Sequence, residues 1–493
     1  MASSRKLGRL LGTARAEKPR AGRAVRGRYD SAATNSENSR HWANADGLSA
    51  AAANDAGVRQ TLRNRSRYEA ANNGYAAGIA RTRADDLVGT GPTLQVPVDD
   101  EQLAQAVEQS WAAWAKEVRL AEKLHTMDLA RMVDGEAFAL LVEDPSVRHA
   151  VRINLMPVEA DHVCDPAGYY ARVNPDADGW LDGVRYDRFQ NPVEYAVLRH
   201  HPGDDPRGFT REYDRYRAEY VCHWFRRDRP GQLRGVPELT PSLPLFAIQR
   251  RFTLATLLAA ETAANFALML ETDAPAYTDG DDPPPTPFEA LEIERNMMTT
   301  LPAGTKAKQL AAEHPQTTYP EFKWEILAEC ARPVRMPVNV AAGDTSKANF
   351  SSAKIDHLGY RHGLRVDRAA CEAAVIDRVY ALWLDLAVLA GAVPPDAAGL
   401  PHKWYWPGWV SWDKSEALQD AQMLASGTTT RAELLAEWGL DWRDVLRQLG
   451  KEKELMDELG LSPEPEQPEP PAGDPVAARL RLNGHLNGHG GKN

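Results

Sequence analysis

The sequence predicts an α+β protein, and three observations carry that expectation. A strand-rich stretch, Glu136 to Arg229, lies inside an otherwise helical chain. A long helical pattern over Pro241–Glu271 holds more apolar surface than a single helix face can use. A polar, glycine-containing loop, MPVNVAAGDTSKANFSSAK at Met336–Lys354, hangs between two further helical patterns, and Pro337 and Gly343 forbid one continuous helix through it. At 493 residues, with 43% apolar and 26% charged residues, the composition is that of a globular chain of two to four domains.

The chain opens with a basic arm over 1–28, nine Lys/Arg against Glu17, with too little apolar content to fold. It lacks the apolar core of a secretory signal. It is expected either to bind nucleic acid or another acidic surface, or to be a solubilising tail or a piece removed on maturation. Helical patterns follow over Asn54–Val88, broken at Asn72-Asn73-Gly74-Tyr75, then over Asp99–Val118 with Trp111 and Trp114, then over Ala121–Val133. Gly89-Thr90-Gly91-Pro92 reads as a turn. Strand patterns occupy Phe138–Val142, Val151–Leu155, Val184–Arg188, Val193–Leu198 and Tyr220–Phe225, the third and fourth forming a hairpin.

The helix over Pro241–Glu271 has a 3-4-3-4 seam: Leu245, Ile248, Phe252, Ala255, Ala259, Thr262, Phe266 and Met269, widened by Leu254, Leu257 and Leu258. Such a helix needs neighbours on two sides. Its stretch Phe252–Leu270 is long enough to raise a membrane reading, but Glu261 and the Ala/Thr content argue for a buried or inter-subunit helix. Asp273–Pro320 is loop-rich and reads as an insertion before a short helix, Phe322–Arg332. A third helix runs over Ser351–Ala390, with a kink expected near Gly359 and Gly363. The tryptophans Trp404, Trp406, Trp409 and Trp412 are interleaved with few basic residues, so they are expected to anchor a neighbouring domain rather than stack on bases. A helical module over Asp413–Leu461 and a Pro/Glu- then Gly/Asn/His-rich tail over 462–493 complete the chain.

A net charge of −11 argues against a protein that clings to nucleic acid through bulk positive charge. Cys164, Cys222, Cys330 and Cys371 are far apart, which argues against a disulfide scaffold or a zinc site. No P-loop, HExxH or GxSxG occurs. Gly343-Asp344-Thr345-Ser346-Lys347 lacks the second glycine of a P-loop. His357 and His362 have the wrong spacing for one helix face, and the adjacent His200 and His201 point apart on a strand. The pairs Asp85-Asp86 and Asp281-Asp282 could hold a divalent cation but are expected to be solvated. No catalytic residue, metal or cofactor is therefore expected, and the chain reads as a non-enzyme.

Several motifs, in this order and spacing, resemble the lambda-type portal proteins of tailed bacteriophages. They are Asn72-Asn73-Gly74-Tyr75-Ala76; Gly135-Glu136-Ala137-Phe138; His223-Trp224-Phe225 with Arg229-Pro230-Gly231-Gln232 and Arg234-Gly235-Val236-Pro237; and Gly343-Asp344, Ser346 and Asn349-Phe350-Ser351-Ser352-Ala353-Lys354. Phe350 and Lys354 depart conservatively from the family's Tyr and Arg. The similarity runs from about Tyr29 to Leu461.

The resemblance implies a ring, commonly of twelve subunits, at one capsid vertex, through which double-stranded DNA is packaged and ejected. It implies an α+β wing over 29–240, a stem helix over 241–271, a clip over 272–318, a second stem helix over 319–333 and a tunnel loop over 334–350. A long helix returns to the wing over 351–412, and a helical crown covers 413–461. The implied partners are copies of the chain, channel DNA, the terminase large subunit, the major capsid or scaffold protein and a head–tail adaptor. The implied location is the virion portal vertex after assembly in the host cytoplasm. In that frame Arg335, Met336, Val338, Asn339, Asp344, Ser346 and Lys347 face the DNA channel. Asn349, Ser351 and Ser352 cap the next helix. Leu245, Ile248, Phe252, Phe266 and Met269 lie on the oligomer-interface helix. Two other readings stay open: a membrane-associated oligomer using 252–270, and a metal-dependent hydrolase using Asp281 and Asp282.

Overall fold

A short helix-capping asparagine sets up the first half of the fold. In the computed structural model, which describes residues 40–165, 179–204, 212–265, 269–272, 305–308, 319–408, 414–437 and 440–461, helices α1 (Ala56–Asn72) and α2 (Gly74–Val88) meet at Asn73. The Asn73 side-chain oxygen accepts the backbone N–H of Tyr75 at 3.0 Å and of Ala76 at 3.4 Å, so the expected break is a helix cap. Gly89 and Gly91, both at positive φ, turn the chain into β1 (Thr93–Gln95). Then come α3 (Glu101–Glu117), capped by Asp100, and α4 (Leu120–Asp134).

Strand β2 (Glu136–Glu143) follows, then β3 (Ile153–Val158), β4 (Trp180–Leu181), β5 (Val184–Tyr186), β6 (Pro192–Leu198), β7 (Tyr213–Arg217) and β8 (Val221–Phe225). They form two antiparallel sheets, ordered β3-β2-β8 and β4-β5-β6-β7. The continuous apolar run of β2 has a physical reason, because both its faces are covered. Ala137, Ala139 and Leu141 belong to the large helical core, whereas Phe138 and Leu140 pack with Val184, Tyr195 and Val197 of the second sheet. Asp187 closes the β5–β6 hairpin by accepting the N–H groups of Phe189 and Asn191, each at 2.8 Å. Strand β7 was not expected: YDRYR is polar and only every second residue is half-buried.

Helix α5 spans Leu243–Asn265 after a one-turn 3₁₀ segment at Thr240–Ser242. The expected helix to Glu271 is corrected here. Met269–Thr272 is a strand, β9, paired antiparallel with β10 (Thr305–Lys308), with Met269 opposite Lys308. The β9–β10 ladder supplies the backbone hydrogen bonds that a longer helix would have used. Phe266 and most of the expected insertion, Asp281 and Asp282 included, lie outside the described residues.

The second half comprises α6 (Tyr319–Ala331), a 3₁₀ turn at Arg332–Val334, α7 (Val338–Ala342) and α8 (Phe350–Cys371). A π-helical turn at Glu372–Ile376 joins α8 to α9 (Asp377–Leu389). Helix α8 runs without a break through Gly359 and Gly363, where a kink was expected, and the hydrogen-bond pattern changes only beyond them. There Glu372 accepts the indole N–H of Trp406 while Val375 and Ile376 enter the core. Strand β11 (Lys403–Tyr405) pairs with β1. Trp404 sits against Trp111, at 5.3 Å between ring centroids, in a cluster with Trp114, Tyr380 and Trp383, so it is an anchor. Trp409 and Trp412 lie outside the described residues. Helices α10 (Lys414–Ser426), α11 (Arg431–Glu437) and α12 (Trp442–Glu458) end the described chain. Cys222, Cys330 and Cys371 are buried free thiols. Residues from Ala50 onward form one compact unit, separate from Met1–Ser49. In the latter, the His41 and Trp42 rings pack edge to face.

Candidate channel loop and subunit-contact helix

The loop between α6 and α8 is more ordered than its composition promised. Pro337 and Gly343 bracket five residues, Val338–Ala342, that form helix α7, with Gly343 in the left-handed conformation as its C-cap. Met336, 4% exposed, packs in the core with Val334, so it forms no exposed wall. Val338 is half-buried against the same core. Asn339, 7% exposed, donates its amide to His357 Nε2 at 3.2 Å. The exposed part is 343–349. Within it the Asp344 carboxylate accepts the Ser346 N–H at 2.8 Å, and this bond, with that of the Ser346 hydroxyl, holds its carboxyl below the usual range. The Lys347 ammonium lies 4.9 Å from the ring centroid of Trp324 on α6, a cation–π contact that ties the loop to that helix. Asn349 is the N-cap of α8, accepting the N–H of Ser351 at 3.2 Å. Ser351 and Ser352 stand within the first turn of that helix rather than at its cap.

Arg335 begins the loop in a left-handed conformation, φ 60°, unusual for a residue with a Cβ. Its guanidinium donates to Asp367 of α8 at 2.8 Å and lies flat on Gly363, where a Cβ would sit 3.2–3.3 Å from three of its atoms. Asp367 belongs to a buried network. Arg83 bridges Asp128 and Asp367 at 2.7 and 2.6 Å, and Arg131 pairs with Asp128 and Glu238 at 3.1 and 2.8 Å. Burial pushes the Asp128 carboxyl up, but Arg83 and Arg131 outweigh it and hold it below the usual range. Asp367 was missed in the sequence. Gly363, one turn earlier on α8, was the only local signal of a close approach there.

A second network gathers the motif residues of the strand region. Glu136 is fully buried, and its carboxylate accepts from Arg234 at 2.7 Å, Arg63 at 3.0 Å, the Gly235 N–H at 3.0 Å and His223 at 3.2 Å. Burial raises its pKa, yet Arg234 and His223 carry it well below the carboxylate range. The Gln232 side chain bonds the backbone on both sides, accepting from Asp228 and donating to Arg234. Gly135 and Gly235 touch backbone to backbone, since a Cβ on Gly235 would lie 2.0 Å from the Gly135 carbonyl oxygen. These motifs brace β2, the turn after α4 and the approach to α5.

The first half of α5 packs inward through Leu243, Phe246 and Gln249, while Leu245 is half-buried and Ile248 exposed. Phe252 stacks on Tyr319 and meets Phe322 of α6 edge to face, so it serves the chain's own packing. From Leu254 to Glu261 only Thr256 is partly covered, leaving Leu254, Ala255, Leu257, Leu258, Ala259 and Ala260 in the open. Met269, expected on this helix, stands on β9 instead.

Of the two acidic pairs only Asp85-Asp86 is described, and its two carboxylates turn to different partners. Asp85 faces His125 at 2.9 Å, and Asp86 accepts the Tyr360 hydroxyl at 3.0 Å. Glu159, Asp161 and His201 do bring three ligand atoms within 4.8 Å of one another. However, the Arg67 guanidinium lies 2.7 Å from Asp161 and 3.5 Å from Glu159 and already fills the cation position.

The model of the lambda family of phage portal proteins matches residues 36–368. The chain belongs to that family. It is 25% identical over 438 residues, 82% of either chain, to a protein of Halomonas phage phiHAP-1 named "Probable portal protein". Among solved structures it is similar to the neck of a native gene transfer agent particle computed with C12 symmetry, at 16% identity, 81% of this chain, 99% of that one and a TM-score of 0.46. An HK97-family phage portal protein from Corynebacterium diphtheriae covers 69% of this chain and 94% of its own at 14% identity, with a TM-score of 0.29. The motifs around Glu136, Arg234 and Gln232 fall inside the matched family region, where they act as braces. No helix among the described residues of this portal protein is long and apolar enough to cross a membrane.

Proposed function

We propose that this portal protein assembles with copies of itself, twelve in the commonest arrangement, into a ring at one capsid vertex. Double-stranded DNA is packaged and ejected through its centre. The observation that carries this reading is the end of α5, a helix with Leu254, Leu257 and Leu258 exposed at 55%, 62% and 61%. Three adjacent apolar side chains on a projecting helix call for a covering surface. A helix that needs covering on several sides is satisfied by neighbours in a closed ring, where each subunit offers the same two complementary faces.

In this reading α5 and α6 form the stem. The segment over 272–318 is the clip that docks the terminase large subunit and later a head–tail adaptor. The strand region contacts the capsid or scaffold, and α10–α12 form the crown. The exposed loop 343–349 lines the channel, with Asp344, Ser346 and Lys347 toward the DNA. Lys347 is the phosphate-facing cation, because Arg335 is engaged by Asp367. A net charge of −11 suits a conduit. Dense basic contacts would hold DNA through counterion release, whereas sparse ones let it slide.

Electron microscopy of the purified full chain tests the reading. The expected images are closed rings with a central hole. Monomers persisting at high protein concentration would overturn it.

A further inference from the structure

We propose that Asp367 is the positioning residue of the channel loop and that its pair with Arg335 is a releasable latch. The inference rests on the loop reading above, but its test needs neither a ring nor DNA. Asp367 is 5% exposed, and its Oδ2 is shared by Arg83 at 2.6 Å, Arg335 at 2.8 Å and Arg131 at 3.8 Å. These three contacts are unequal. The Arg83 and Arg131 side chains are each 1% exposed, whereas that of Arg335 is 35% exposed. Water and salt therefore reach Arg335 and not the others.

The charge balance points the same way. The buried carboxylates of Asp128, Glu238 and Asp367 also face the guanidinium groups of Arg83, Arg131 and Arg226, the last shared with the exposed carboxylate of Asp228. Arg335 can leave without stranding a buried charge, whereas loss of Arg83 would strand one. Arg335 is also held at φ 60°, a conformation that is strained for a residue with a Cβ. Release of the pair lets that backbone relax. The lever is short, because Met336 follows directly and α7 begins two residues later. Gly363 completes the seat: any side chain there would push against the guanidinium.

Amide hydrogen exchange of the full-length chain tests this. The reporters are the N–H groups of Val340, Ala341, Gly343 and Asp344, bonded to carbonyls of the loop itself; those of Phe138–Val142 in β2 are the reference. Arg335→Ala and Gly363→Ala are each expected to speed the reporters about fivefold and leave the reference unchanged. Raising salt should speed the reporters in the native chain and not in Arg335→Ala. Asp367→Asn should give the largest loosening; should that variant fail to fold, the two peripheral variants still decide. Unchanged reporters in both, or equal acceleration of reporters and reference, would overturn the latch. A chain that forms no rings would sink the proposed ring assembly and leave this result standing.

Discussion

His223 shows how a motif residue that looked like a functional landmark earns its place through packing. Its ring is stacked between Phe138 and Phe225, with centroids at 4.1 and 4.5 Å. The Glu136 carboxylate can only accept, so Nε2 carries the proton and Nδ1 faces the Tyr195 hydroxyl at 3.3 Å. Burial pushes the imidazole pKa down to about 4; Glu136 opposes that shift, and Arg234 and Arg227 reinforce it. The unfolded imidazole titrates near 6.5. Between those values the unfolded chain takes up a proton that the folded chain refuses. The contribution of His223 is therefore complete above about pH 6.5 and is lost as pH falls toward 4. Between pH 6.5 and 5 this amounts to about 2 kcal/mol. Thermal unfolding across that range should show a falling midpoint, and His223→Gln should flatten the fall while lowering the midpoint at neutral pH. Parallel slopes in the two proteins would contradict the assignment. The sequence made these residues visible as a spaced set; that they meet at one carboxylate follows only from the pairing of β2 with β8.

At the scale of elements, most helix and strand positions were legible, because apolar period and caps are local properties. Asn73, Asp100 and Asn349 each stand where a helix begins. The errors have physical causes. Helix α7 was missed although Pro337 and Gly343 are the punctuation of a short helix, because the stretch between them is only one turn long. The end of α5 was placed too late because a 3-4 period can be followed through any Ala/Leu-rich run. A long-range partner, β10, decided that Met269–Thr272 is a strand. The seam residues were also only part of the exposed face: Phe252 went to α6, and Leu254, Leu257 and Leu258 took the outside. In the loop, Met336 and Asn339 turned inward, leaving Lys347 beside Trp324 as the cation on offer. Lys347→Ala rings should bind DNA more weakly, with a shallower dependence on salt, at unchanged ring mass. An unchanged salt slope would take Lys347 out of the channel.

For the whole molecule, two buried charge networks fix the interior of the described chain, and the apolar end of α5 is left uncovered, the surface proposed to meet copies of the same chain. The acidic balance was readable from composition and fits a conduit better than a clamp. The ring was implied in the sequence by the family resemblance, and the surplus apolar surface of α5 is the feature of the single chain that is compatible with it. The exposed end of α5 is proposed to close the ring. Sedimentation velocity of the full chain beside Leu257→Glu measures it. A charge at a position 62% exposed leaves the isolated fold intact but cannot be buried between neighbours without a partner. The native chain should sediment as one large closed oligomer and Leu257→Glu as monomers with an unchanged circular dichroism spectrum. Rings of equal size from both proteins would place the subunit contact away from α5.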